Sequence, residues 1–248
     1  MPMLAIIILL GLFIGSFLNV CIWRLPRAQS TVWPGSYCPV CGHDLQAGDL
    51  IPLLSFVLRR GSCRYCGQAI AWRYPLVEAG TALGMAALYA HSGWGWQFLQ
   101  DALLFCGLLV ASAIDMELRI IPNRLLTFMT LAFLMLCLLF SPERFWPAFW
   151  GALSAGLLLL APALLYPGGM GGGDIKMAAV IGLYLGWPSS LLAIFLGILI
   201  GAAAGLGWMV RQHKDLKAAI PLGPFLSLGA MLTLLWGEQI LAWYKQFY

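Results

Sequence analysis

MLAIIILLGLFIGSFLNVCIW, residues Met3–Trp23, runs for 21 positions without a charged side chain, and the first basic residue after it is Arg24. An α-helix rises 1.5 Å per residue and the hydrocarbon core of a bilayer is about 30 Å thick, so about 20 apolar residues suffice to cross it. The stretch therefore predicts a membrane-spanning helix. No positive region precedes it, which argues against a removable signal peptide and for a retained first helix whose basic end follows it.

The same test, moved outward along the chain, predicts seven more spans near residues 75–91, 96–115, 122–140, 145–166, 175–188, 189–210 and 221–243. The expected fold is an all-α polytopic membrane protein of about eight transmembrane helices, with seven as the competing count. The sixth span is short and open to a tilted or partly re-entrant reading. Composition agrees: 61% of the 248 residues are hydrophobic and 10% are charged, against about 45–50% and about 25% in soluble domains. A net charge of +4 is too mild for a nucleic-acid partner. The expected partner along most of the chain is the lipid bilayer.

Lysines and arginines orient such a chain, because they are retained on the cytoplasmic side. With the N-terminus outside, all of the 14 lysines and arginines except Arg144 and Lys245 face the cytoplasm. The reverse orientation puts nearly all of them outside. The expectation is a multi-pass protein with both termini on the outer side and an even number of spans.

Residues 24–74 break the apolar pattern. They are polar, punctuated by proline and glycine, and hold four of the seven cysteines. The organisation expected is a first transmembrane helix over 1–23, a small cytoplasmic cysteine-rich module over 24–74, and a transmembrane domain over 75–248. Cys38-Pro-Val-Cys41 and Cys63-Arg-Tyr-Cys66 are two C-x-x-C pairs, each followed by a glycine, Gly42 and Gly67. Such a glycine lets the backbone turn its amides toward the thiolates. Four thiolates at this spacing suit a closed, structural zinc site of zinc-ribbon type. Two disulfides or free thiols are the alternatives, and a reducing cytoplasm disfavours the former. A module of this length buries little apolar surface, so a metal would help to hold it together. His43, beside the first pair, reads as a solvated loop residue, with a ligand role as the alternative. Cys21, Cys106 and Cys137 lie in or beside apolar segments and read as packing residues.

Acids in or at the edge of spans are costly and are functional candidates for that reason. They are Glu78, Asp101, Asp115, Glu117, Asp174 and Glu238. Asp115 ends the third span after Ala111-Ser-Ala-Ile114. Asp174 opens the sixth after Gly168-Gly-Met-Gly-Gly-Gly173, a run that permits close backbone approach and leaves room for an extended peptide. Taken singly, each aspartate also reads as a helix cap or an interface charge, Asp174 as an N-cap above all. Taken together, at one membrane face, they suggest a dyad. Two carboxyls within hydrogen-bond reach share a proton, so one can take a proton from water while the other donates to a carbonyl oxygen. The residues leave two other classes open. A transporter would use the acids as an ion relay at a broken helix. An inert scaffold would dock a partner on the cysteine module.

The set of motifs resembles the type IV prepilin leader peptidase family over nearly the whole chain. Gly15-Ser-Phe-Leu-Asn-Val20 with Arg24-Leu-Pro26 is similar to the first-span signature of that family, the paired C-x-x-C module to its cytoplasmic domain, and Arg73-Tyr-Pro-Leu-Val-Glu78 to the start of its second span. Gly171-Gly-Gly-Asp-Ile-Lys176 matches G-x-G-D-x-K, and Ile220-Pro-Leu-Gly-Pro-Phe225 resembles the start of its last span. The resemblance implies a bifunctional enzyme of the bacterial inner membrane. It would remove the basic leader of type IV prepilins and pseudopilins at the cytoplasmic face and N-methylate the new terminus with S-adenosylmethionine. The catalytic pair maps onto Asp115 and Asp174, with Gly171, Gly173, Lys176 and Glu78 as supporting candidates. No residues are assigned to the methyl donor. One departure stands out: many members carry Pro-Asp after the first catalytic aspartate, where this chain has Pro122-Asn123, and Asn123 reads as a helix cap.

Overall fold

Helices of uniformly apolar sequence gain little from hiding oily surface in lipid, so they associate where small residues let backbones approach. That rule organises this molecule. The computed structural model describes residues 2–166, 170–212 and 221–246. Met1, Gly168, Gly169, Lys214, Lys217 and Ile220, which the sequence reading uses, lie outside the described residues, as does the side chain of Arg211. Two compact units divide the chain, residues 1–98 and 99–248.

The first unit contains α1 (Pro2–Arg24), the short α2 (Leu54–Leu58) and α3 (Arg73–Ser92). α1 and α3 run antiparallel. A Cβ placed on Gly11 would lie 2.6 Å from the Ala82 Cα, and one on Gly15 would lie 2.7 Å from the Glu78 Cα. One turn further, the buried Asn19 side chain donates to the Tyr74 carbonyl at 3.1 Å. Gly11, Gly15 and Asn19 fall four residues apart and so share one face of α1. Between α1 and α3 the chain forms two matching loops around the cysteine pairs. Among the described residues it has no strand longer than the isolated bridges Tyr37 to Asp44 and Ser62 to Ala69.

The second unit carries most of α4 (Trp96–Leu118), then α5 (Asn123–Phe140), α6 (Phe145–Leu165), α7 (Gly172–Leu185), α8 (Ser189–Gln212) and α9 (Gly223–Lys245). Small residues again set the pairs. α6 meets α7 where Gly151 lies on Gly182, and α8 meets α9 where Gly229 lies against Ala193 and Gly197. α9 is fastened to α4 by a Ser112–Ser227 hydroxyl pair at 2.6 Å. α7 is fastened to α5 by the buried Tyr184 hydroxyl, which donates to the Met129 carbonyl at 2.9 Å.

Each predicted span falls on a helix. Six of these are long and apolar enough to cross a membrane: Pro2–Arg24, Trp96–Leu118, Asn123–Phe140, Pro142–Leu165, Ser189–Val210 and Gly223–Lys245. The other two fall short for different reasons. α3 carries Arg73, Glu78 and His91, which lower its hydropathy. α7 has 14 residues, about 21 Å of helix against a core of about 30 Å.

Candidate active site and cysteine centre

Asp115 lies in the last turn of α4 and is buried. Beyond it the chain reverses sharply: the Arg119 amide closes onto the Asp115 carbonyl at 2.9 Å, and Arg119 itself has a left-handed backbone, φ 55°. The carboxylate is held from the opposite side. Asp115 Oδ2 accepts the backbone N–H of Gly223, the first residue of α9, at 3.0 Å. The first amides of a helix lack intrahelical acceptors and carry partial positive charge, so they suit a carboxylate. A Cβ at Gly223 would sit 2.7 Å from that oxygen, so any larger residue displaces the carboxyl. Gly223 stands within Ile220-Pro-Leu-Gly-Pro-Phe225, a motif that by itself assigns the glycine no role. A glycine wedged before a proline at a helix start was the available signal.

Asp174 is the third residue of α7. Its helix is capped by Gly171 with extended backbone, so the N-cap reading of Asp174 shifts by three residues. The two residues bond reciprocally. The Asp174 amide donates to the Gly171 carbonyl at 3.0 Å, and the Gly171 amide donates to the Asp174 carboxylate. This is one half of a capping box, the acid at the third helical position reaching back to the cap amide, while Gly171 has no side chain to complete it. Asp174 is half-buried, and Asp115 is near enough for its charge to act on it. The structure thus brings the two predicted acids into one neighbourhood, from the C-terminal end of α4 and the N-terminal end of α7.

The supporting residues divide. A Cβ on Gly173 would meet Ile121 at 3.1 Å, so this glycine admits the α4–α5 turn beside Asp174. Gly171 supplies the cap just described. Lys176 donates to Asn123 Oδ1 at 3.0 Å. Asn123 is the first residue of α5, and the cap position falls on Pro122. Asn123 therefore holds Lys176 rather than capping its own helix. Glu78 belongs to the first unit, where its carboxylate accepts the Leu53 amide at 2.9 Å and bonds Ser16.

The four module cysteines converge. The sulfurs of Cys38, Cys41, Cys63 and Cys66 all lie within 4.8 Å of one another, and those of Cys38 and Cys66 are 4.0 Å apart. A tetrahedral metal with bonds of about 2.3 Å to sulfur needs sulfurs roughly 3.8 Å apart, so the donor set fits a thiolate-bound metal. The two loops are built alike. Gly42 and Gly67 adopt φ of 70° and 74°, and their amides return to the carbonyls of Cys38 and Cys63 at 2.8 and 3.0 Å. The Cys41 amide holds the Cys38 thiol down at about 7. The Gln68 amide pulls Cys66 the same way, but burial and the neighbouring sulfurs outweigh it and push that thiol up to about 11. Crowded sulfurs that cannot all ionise cheaply are what a divalent cation relieves. His43 stands outside the cluster, exposed and stacked on Tyr65 with ring centroids 3.6 Å apart.

Comparison with known proteins gives this geometry a lineage. Residues 9–92 match the model of the bacterial peptidase A24 N-terminal domain, and residues 102–206 match that of the type IV leader peptidase family. A prepilin leader peptidase/N-methyltransferase of Bacillus subtilis is 38% identical, with 98% of each chain covered. The Pseudomonas aeruginosa protein of the same description is 33% identical over 97% of this chain and 92% of its own. That of Stutzerimonas stutzeri is 35% identical over 97% and 93%. No solved structure matches the chain. With near-complete coverage at these identities, this chain belongs to the type IV prepilin leader peptidase/N-methyltransferase family.

Proposed function

We propose that the chain is a membrane aspartyl endopeptidase that removes the leader of prepilins and pseudopilins through Asp115 and Asp174, and that it N-methylates the new terminus. The observation that supports the peptidase reading is that Asp115 stands near enough for its charge to act on Asp174, each carboxyl being oriented by a backbone amide. A water held between them loses a proton to the ionised carboxylate and attacks the scissile carbonyl. The protonated partner donates to the carbonyl oxygen, and the tetrahedral intermediate collapses as the leaving amine takes a proton. The Gly223 and Gly171 amides keep the carboxyls aimed without taking part in proton transfer. Asp115→Asn and Asp174→Asn test this. Each should abolish cleavage of a prepilin by detergent-solubilised protein that still inserts normally, and unchanged cleavage by either variant overturns the pair.

The reading extends to eight spans, with both termini on the outer side and the acids facing the cytoplasm. α7 then spans only part of the bilayer, and its N-terminal acid stands at the cytoplasmic boundary. A substrate whose apolar helix lies in lipid and whose basic leader lies in the cytoplasm would present its cleavage point there. The module over residues 24–74 takes zinc on Cys38, Cys41, Cys63 and Cys66 as a structural ion.

S-adenosylmethionine is the methyl donor that the family description implies. A groove of about 670 Å³ in the module is roomy enough, lined by Phe56, Val57, Arg60, Gly61, Ala69, Ile70, Ala71 and Trp72. It offers no carboxylate for ribose hydroxyls and one charged group, Arg60. This donor set does not fit a nucleoside.

A further inference from the structure

Within the first unit, α2 sits far deeper than a soluble module would require. The Glu78 carboxylate receives both the Leu53 amide, immediately before α2, and a hydrogen bond from Ser16 on α1. Ser16 precedes Arg24, the basic end of α1, by eight residues, or about 12 Å along the helix. The facing pairs of α1 and α3, Gly15 with Glu78 and Asn19 with Tyr74, fix the same level independently. The start of α2 is therefore held well inside the plane where α1 and α3 carry Arg24 and Arg73.

What α2 displays at that depth is apolar. Leu54, Val57 and Leu58 are 51%, 68% and 71% exposed, and the neighbouring Trp72 is 70% exposed. In water such a cluster would be a liability. The groove beside it is walled by Phe56, Val57, Ile70 and Trp72 and has Arg60 as its only charge. Phe56 and Trp72 pack ring to ring at 5.2 Å. Arg59 and Arg60 follow directly on α2; Arg59 is tied back to Asp49 at 3.0 Å, and Arg60 takes a left-handed backbone at φ 51°. An apolar face ending in Arg60, at the level of two membrane helices, has the chemistry of an interfacial segment: the apolar side chains enter the acyl region and the Arg60 guanidinium stays with the headgroup phosphates.

We infer that residues 51–60 form a re-entrant interfacial segment that dips into the leaflet at the Arg24 and Arg73 ends of α1 and α3, with Glu78 as the positioning residue that holds it there. The inference rests on the membrane placement of α1, which is why the test contains a control for that placement. Full-length protein carrying a photo-reactive p-benzoylphenylalanine at Leu58, or in a second variant at Val57, is reconstituted in vesicles of phosphatidylethanolamine and phosphatidylglycerol. Phospholipid adducts are then counted by mass spectrometry. Both side chains project outward, so the bulky probe is accommodated. Phe13, outward-facing on α1, serves as the lipid reference, and the exposed Asp44 serves as the aqueous one. Adduct yield at positions 57 and 58 should be within about twofold of that at Phe13 and roughly tenfold above that at Asp44, as expected of a segment buried in the headgroup and acyl boundary. Yields at the Asp44 level while Phe13 labels would overturn the inference and leave the membrane reading standing. A Phe13 probe that fails to label would overturn the membrane placement and the inference with it.

Discussion

The carboxylate of Asp115 is held by an amide that only glycine can bring so close. Gly223→Ala adds a Cβ where 2.7 Å separates it from Oδ2. The carboxyl must move by a sizeable fraction of an ångström, and since a misplacement of about 1 Å can cost about 10²-fold in rate, a loss of up to about that size is expected. Steady-state cleavage of a prepilin peptide checks this, with kcat expected to fall more than KM rises. On the proposed mechanism, removing either acid outright should cost on the order of 10³-fold or more, since one of the two proton-transfer groups is lost. Asn123→Asp should matter little. It converts the Lys176 hydrogen bond into an exposed ion pair, and such pairs contribute about 0–1 kcal/mol. Activity should stay within about twofold, and a large gain or loss would show that Lys176 acts on the chemistry.

Among the elements, the close pairing of α1 with α3 depends on backbone contact. Gly15→Leu would place its Cβ 2.7 Å from the Glu78 Cα, a backbone atom that cannot swing away. Overpacking of this kind typically costs 1–3 kcal/mol, so the midpoint of thermal unfolding in detergent should fall. Phe13→Leu, on the exposed face of the same helix, should leave it unchanged. The helices themselves were legible in the sequence, because run length and the absence of charge report directly on whether a segment can cross a bilayer. Their pairing was not. Gly151 on Gly182 and Gly229 on Ala193 are contacts between distant segments, and a glycine within an apolar run does not name its partner. The small size of α7 was legible as a short span, but not the reason Asp174 lies where it does: the cap falls on Gly171, three residues earlier.

At the scale of the whole molecule, the cysteine cluster and the two neighbouring aspartates belong to different units of the chain. The cysteine centre should bind about one zinc per chain, measured by elemental analysis. Stripping it with a strong chelator should leave the α1–α3 pair in the membrane while the two cysteine loops, residues 37–44 and 62–69, become protease-sensitive, because these loops hold only isolated bridges and little buried apolar surface without a metal. Zinc content near zero in active protein would remove the ion from the account.

By itself the sequence determined the membrane class and the positions of the helices, and it picked out the four cysteines that cluster and the two acids that share a neighbourhood. Each of these follows from local chemistry: apolar length, C-x-x-C spacing with a following glycine, and the expense of a carboxyl beside lipid. Only the tertiary structure decided that Asp115 meets the first amide of α9, that Asn123 holds Lys176, and that Glu78 anchors Leu53 at depth. Those contacts join residues from 25 to 108 positions apart. Which backbone amide points at which carboxyl depends on how helices pack, and helix packing depends on glycines whose partners no single segment specifies.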